Sequence, residues 1–306
     1  MDKSESIRVL EQAFADYETL PKEAILKQDI LREGLAFTPD SLRVAGGYKP
    51  KDYFIFSFDL VPITSMQQDE NLKAPEEIKI FGGLWQLANT IVSVRVNPSS
   101  PYSIRISDGQ LHLFVAHEPV CRVEYHPKPS HYDEKLSSGK PISEIAPVIE
   151  WGYLLYLTVY RLCQYFNREE QCQFCDLNAN YRQQKKAGRV YTGIKSVEEV
   201  EEALTIINTL DQDSKAITVT GGAIIDSLKG ESEVKFYSKY ARMIQEKFAG
   251  RWTLKAVVQA FGVEECKILK DSGFEIYHPN FEVWDSHLFK RSEEHTSELQ
   301  SPCNLV

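Results

Sequence analysis

"SVEEVEEALTIINTLDQDSKAITVTGG", residues 196–222, contains a complete change of period. Ser196 with Glu199 three residues later is a capping box, and Val200, Ala203, Leu204 and Ile207 then fall on one face of a helix. "AITVT" (216–220) follows as a short apolar, β-branched run, the mark of a buried strand, and Gly221-Gly222 ends it. The same alternation extends in both directions. Upstream, "YLLYLTVY" (153–160) is a strand candidate. Downstream, Tyr237, Tyr240, Ala241, Ile244 and Phe248 mark a second helix stopped by Gly250. "LKAVVQA" (254–260) is a third strand, "VEECKILKDSG" (263–273) a third helix and "FEIYH" (274–278) a fourth strand. Strands and helices in this order predict βαβ units on a parallel sheet, an α/β domain over residues 150–290 with its chemistry at the C-terminal strand ends.

The first half reads differently. Residues 4–33 suggest two helices separated near Pro21, followed by the β-like runs "YFIFSF" (53–58), "TIVSVRV" (90–96) and "SIRISDGQLHLFV" (103–115). Asp108-Gly109 between alternating apolar residues is a tight-hairpin signal, and "VCRVEYH" (120–126) adds another strand. The Pro-, Ser- and Lys-rich stretch 126–141 is the candidate linker, which leaves residues 1–140 as a small α+β domain.

Composition narrows the function classes. A chain of 306 residues with 42% apolar side chains fills a real core, and no run of eighteen apolar residues suggests a membrane span. The N-terminus lacks the pattern of a secretory signal, so a soluble cytoplasmic protein is expected. A net charge of −9 gives no electrostatic footprint for nucleic acid, and "RQQKKAGR" (182–189) reads as a solvated helix end. The six cysteines then belong to a reducing compartment, where clustered thiols bind metal or do chemistry.

Three of them, Cys163, Cys172 and Cys175, lie in "LCQYFNREEQCQFCDLN" (162–178), just past the first strand of the α/β half. A closed zinc site takes four ligands, whereas a 4Fe–4S cluster on three thiolates leaves one iron open. A zinc-binding interaction module, with His126, His131 or His278 completing the set, is the alternative. A simple electron-transfer protein would use four cysteines per cluster. Cys121 and Cys266 read as small buried apolar residues.

A three-cysteine loop after the first strand of a βα unit, with aromatic Phe174 just before the last cysteine, resembles the radical S-adenosylmethionine superfamily. The family's usual spacing is C-x3-C-x2-C; here it is C-x8-C-x2-C. Thr220-Gly221-Gly222 resembles the family's Gly-Gly-Glu-like stretch, with Ala223 in place of the Glu. Asn280 and Glu282 resemble its Asn-x-Asp pair at the end of the fourth strand. The resemblance covers residues 150–290. It implies a partial (βα) barrel and a 4Fe–4S cluster on Cys163, Cys172 and Cys175, with S-adenosylmethionine held near Phe174, Thr220, Gly221, Gly222, Asn280 and Glu282. Gln259 and Glu282 would face an unknown substrate. It also implies an external one-electron reductant of flavodoxin or ferredoxin type, and reductive cleavage of S-adenosylmethionine to a 5′-deoxyadenosyl radical that abstracts hydrogen. Each position has a plainer reading: Gly-Gly as a turn, Asn280 and Glu282 as a strand end, His278 as a structural histidine.

Residues 291–306, "RSEEHTSELQSPCNLV", read from Arg291 to Ser301 as the in-frame translation of a common sequencing adapter. They are excluded from fold reasoning, and the natural chain is expected to continue past Lys290. On that expectation the barrel is truncated after four of six strands, with "FEIYH" left as an open edge.

Overall fold

The computed structural model describes residues 5–44, 47–51, 74–168, 171, 172, 175, 177, 181, 182, 185, 188, 192–279 and 285. The runs 53–58 and 280–290 and the tail 291–306 therefore fall outside the described residues, Asp285 excepted. The chain is mixed α/β and divides into two compact units, Met1–Lys128 and Pro129–Val306, each with its own sheet.

In the first unit, helix α1 (Glu5–Asp16) buries Ile7, Leu10 and Phe14, the one-face spacing of an amphipathic helix. Pro21 separates it from α2 (Lys22–Glu33), which buries Leu26 and Ile30. The strands are β1 (Ala36–Phe37), β2 (Glu77–Gly82), β3 (Leu87–Ser93), β4 (Tyr102–Ser107), β5 (Gln110–Val115) and β6 (Glu118–Tyr125), with the short helix α3 (Pro39–Val44) after β1. They form one sheet in the order β1-β4-β5-β6-β2-β3, mixed because β1 runs parallel to β4. Asp108 (φ 51°) and Gly109 (φ 73°) make the two-residue turn between β4 and β5; both central residues are left-handed, as the type I′ hairpin requires. β2, absent from the sequence reading, lies between β6 and β3 with Ile78 and Ile80 fully buried.

The second unit carries the alternation expected from the sequence. Its elements are α4 (Ile142–Ile145), β7 (Val148–Ile149), β8 (Leu154–Tyr160), α5 (Val197–Leu210), β9 (Ala216–Gly221), α6 (Glu233–Phe248), β10 (Thr253–Val258), α7 (Val263–Asp271) and β11 (Ile276–Pro279). The sheet order is β11-β10-β9-β8-β7; β8 to β11 are parallel, and β7 joins antiparallel to β8, which makes this sheet mixed as well. The capping box is present: Glu199 N–H donates to Ser196 Oγ (3.1 Å) and Ser196 N–H to Glu199 Oε2 (3.1 Å). Val200, Ala203, Leu204 and Ile207 of α5 are fully buried against Ile217 and Val219 of β9 and Leu155 and Leu157 of β8 in one core.

The stretch 126–141 is not an open tether. His131 and Leu136 are buried, Ser137 N–H donates to Glu202 Oε1 of α5 (2.6 Å), and Val148 N–H donates to the Tyr132 hydroxyl (2.9 Å). Residues 129–140 therefore pack within the second unit, and the contact boundary falls at Lys128/Pro129, not at 140. Prolines and lysines at the surface conceal the few side chains that turn inward. Among the described residues no helix is long and apolar enough to cross a membrane.

Candidate functional site

Because β8, β9 and β10 are parallel, their ends at Tyr160, Gly221 and Val258 come to one edge of the sheet. Cys163 stands there, three residues past β8 and half-buried. Its position is set by the chain that leaves β9. Gly222 N–H donates to Tyr160 O (2.9 Å), and Gln164 N–H donates to Ala223 O (3.0 Å). The Gln164 side chain grips the following residues, accepting from Ile225 N–H (2.7 Å) and donating to Ser227 O (2.9 Å). Burial pushes the Cys163 thiol up. The backbone N–H groups of Tyr165 and Ala223 oppose that shift, and the Glu233 carboxylate adds to it.

The glycine pair has a structural cause. A Cβ on Gly222 would stand 1.9 Å from Leu162 O and 2.8 Å from the Cα of Cys163; one on Gly221 would stand 2.5 Å from Tyr160 O and 2.6 Å from the Tyr237 hydroxyl. The close backbone approach that these glycines permit is that of the chain's own cysteine loop. Tyr237, fully buried, also donates to Gly222 O (2.8 Å). Thr220 is committed to the sheet, its Oγ1 donating to Val257 O (2.6 Å).

Gln259, just past β10, turns its side-chain amide to Glu233 Oε2 (2.5 Å). Glu233 opens α6, is 6% exposed, and was not picked out from the sequence. Its Oε2 also accepts from Ile224 N–H (2.7 Å). Burial raises its pKa to about 7 against the pull of the Ile224 N–H and of the side chain and backbone of Gln259, all of which favour the charged form. Only its place on the first turn of a helix was legible locally. Its burial is made by Ile224 and Gln259, 9 and 26 residues along the chain.

Cys172 and Cys175 are half-buried and free of disulfides, and Cys175 N–H faces Cys172 O at 3.4 Å, a local turn. Three free thiols are a chemically suitable donor set for iron–sulfur ligation. Their described geometry is not a closed site: among the described residues, no three or more His, Cys, Asp or Glu side chains are grouped to hold a metal ion. The histidines weighed for zinc are dispersed. His126 is buried in the first unit beside Glu77, while in the second unit His131 is buried near Asp211 and His278 is exposed on β11. Phe174, Asn280 and Glu282 lie outside the described residues. Cys121 is fully buried on β6; Cys266 is only partly so, its thiol 3.7 Å from Phe261 O.

No protein-family model matches the chain, and neither does any curated protein or solved structure.

Proposed function

We propose that the second unit is a radical S-adenosylmethionine enzyme whose partial (βα) barrel carries its cysteine loop at the C-terminal strand edge. The observation that carries the reading is the place of Cys163. It follows the first of four parallel strands directly and leans on the glycine pair that ends the second. Parallel α/β sheets put their ligands at that edge. Cys163, Cys172 and Cys175 would hold the cluster, and the Gly221–Ala223 backbone would border the S-adenosylmethionine. When bound, the pair supplies one-electron cleavage of the sulfonium, yielding methionine and a 5′-deoxyadenosyl radical that takes hydrogen from a substrate.

The protein's own part is to hold Cys163 in register with the end of β9 and to cover the site from water. Because ligands must be deprotonated and gathered, assembly of the three thiols is coupled to metal uptake. The electron would come from an external flavodoxin- or ferredoxin-type donor.

Anaerobic reconstitution with iron and sulfide tests the reading. The expected product is brown, with about four irons per chain, and its reduced electron paramagnetic resonance signal shifts on adding S-adenosylmethionine. Cys172→Ala should lose the iron. A colourless protein that takes up about one zinc per chain instead would support the interaction-module alternative and overturn the enzyme reading.

A further inference from the structure

One peptide group, between Ala223 and Ile224, has the cysteine loop on one side and Glu233 on the other. Its carbonyl accepts from Gln164 N–H (3.0 Å), and its N–H donates to Glu233 Oε2 (2.7 Å). The neighbouring N–H of Ala223 favours the charged form of the Cys163 thiol. A peptide plane turns as a unit, so whatever fixes the Ile224 N–H also fixes the direction of the Ala223 carbonyl. Hydrogen bonds on the two ends of one amide also polarise each other. Glu233 is in turn held by Gln259 at the end of β10, so three successive strand ends, β8, β9 and β10, are linked through this carboxylate.

We propose that Glu233 is a positioning residue for Cys163: by holding the Ala223–Ile224 peptide it sets where the first cysteine of the loop stands. The proposal rests on the reading of the cysteine loop as the working site. The placement has an ordinary partial cause, since a carboxylate in the first turn of α6 is favoured by the helix dipole. That cause would be met by an exposed side chain in water. It does not account for a carboxylate that is 6% exposed and spans the gap to two strand ends. A buried acid with such partners is a fixed strut.

The test uses the metal-free full-length chain and the rate at which iodoacetamide alkylates each cysteine, read by peptide mass spectrometry. Amide hydrogen exchange of Ile217 and Val219, fully buried on β9 in the same core as α6, is the internal reference for opening of the second unit. Two conservative variants separate positioning from bulk stability. Glu233→Gln keeps an oxygen that can accept from Ile224 N–H, whereas Glu233→Asp keeps the acid but withdraws it by one methylene. We expect Glu233→Asp to raise Cys163 alkylation on the order of tenfold, the ratio corresponding to a lost hydrogen bond of about 1.4 kcal/mol. The β9 amides should stay protected, and Glu233→Gln should stay near the parent rate. Equal Cys163 rates in the two variants, or a rise in which exchange of the β9 amides shares fully, overturn the proposal. The readout needs no metal. A chain that takes up no iron would sink the enzyme reading and leave this result standing.

Discussion

Glu233 should make the second unit less stable as pH rises through neutrality. In the folded chain its carboxyl keeps its proton up to about pH 7, against 4.5 as the ordinary value, because burial disfavours the charge. Between those two pH values the folded state binds more protons than the unfolded one, so stability falls with increasing pH. The group's contribution is intact below the unfolded pKa and lost as pH passes the folded one. A displacement of this size corresponds to about 3 kcal/mol at about 1.36 kcal/mol per unit, a large share of a typical stability of about 5 to 15 kcal/mol. Glu233→Gln is an uncharged near-isostere of the protonated acid and removes this dependence. Urea unfolding of both proteins, followed by tryptophan fluorescence from pH 5 to 8, isolates the group, because other titrations cancel in the difference. The variant should gain on the parent by up to about 3 kcal/mol across that range. A difference that stays within about 0.5 kcal/mol throughout would show that the carboxylate is better solvated or better paired than its surroundings indicate, and the reasoning from burial would fail.

Three other outcomes follow from the packing. His126, held down to about 4 by burial and then by the Lys49 charge, gives the first unit the opposite trend: its stability is lost as pH falls from 6.5 towards 4, and His126→Phe should flatten that limb in acid titrations followed by circular dichroism. Gly222→Ala places a Cβ 1.9 Å from Leu162 O, so β8 and β9 must separate at their ends; thermal melting should show a loss of at least about 2 kcal/mol. Ser196→Ala removes the cap on α5 and should cost about 1 kcal/mol in the same assay, with no change in the alkylation rate of Cys163.

What the sequence made legible was local. Ser196 and Glu199 announced the start of α5 because a capping box uses only residues three apart, and Asp108-Gly109 announced its turn because the left-handed conformation is a property of those two residues. The strands β8 to β11 were visible as short apolar runs between helices, to within one or two residues at their ends. β1 and β7, two residues each, and β2, in which Glu77, Ile78 and Ile80 are buried, are strands because of what they pair with. Val148-Ile149 is β-branched, but two residues carry too little pattern to mark a strand. Glu233 was missed for the same reason: a glutamate at a helix start is ordinarily solvated, and only the meeting of β9 and β10 closes over this one. Gln259 was read as facing a substrate, yet its amide is taken up by Glu233. The cysteines were legible as a motif, but their assembly was not, because the ligand that would gather them is not encoded in local pattern.

The unusual spacing of that motif is less of an obstacle than it looks, once the anchoring of its members is compared. Cys163 is tied to the sheet by Gly222, by the bond of Gln164 N–H to Ala223 O and by the clasp of the Gln164 side chain on residues 225–227. Cys175 N–H faces the carbonyl of Cys172, its neighbour in the same loop. On the proposed reading, a fixed first ligand and a short C-x2-C unit would be brought together across eight intervening residues, Gln164 to Gln171, where the family resembled has three. Closure entropy grows only as the logarithm of loop length, so the five extra residues cost about 1 kcal/mol. Structural metal sites release about 10 kcal/mol or more on binding. The longer gap therefore lies well within what metal uptake can offset. The spacing of Cys172 and Cys175 and the sheet anchorage of Cys163 are the constraints that matter. A variant lacking the four residues Arg168 to Gln171 should bind iron as tightly as the parent or slightly more so, whereas one that lengthens the Cys172–Cys175 gap by a single residue should lose it. Iron titration of the two variants, side by side, decides whether closure cost or local geometry governs the site.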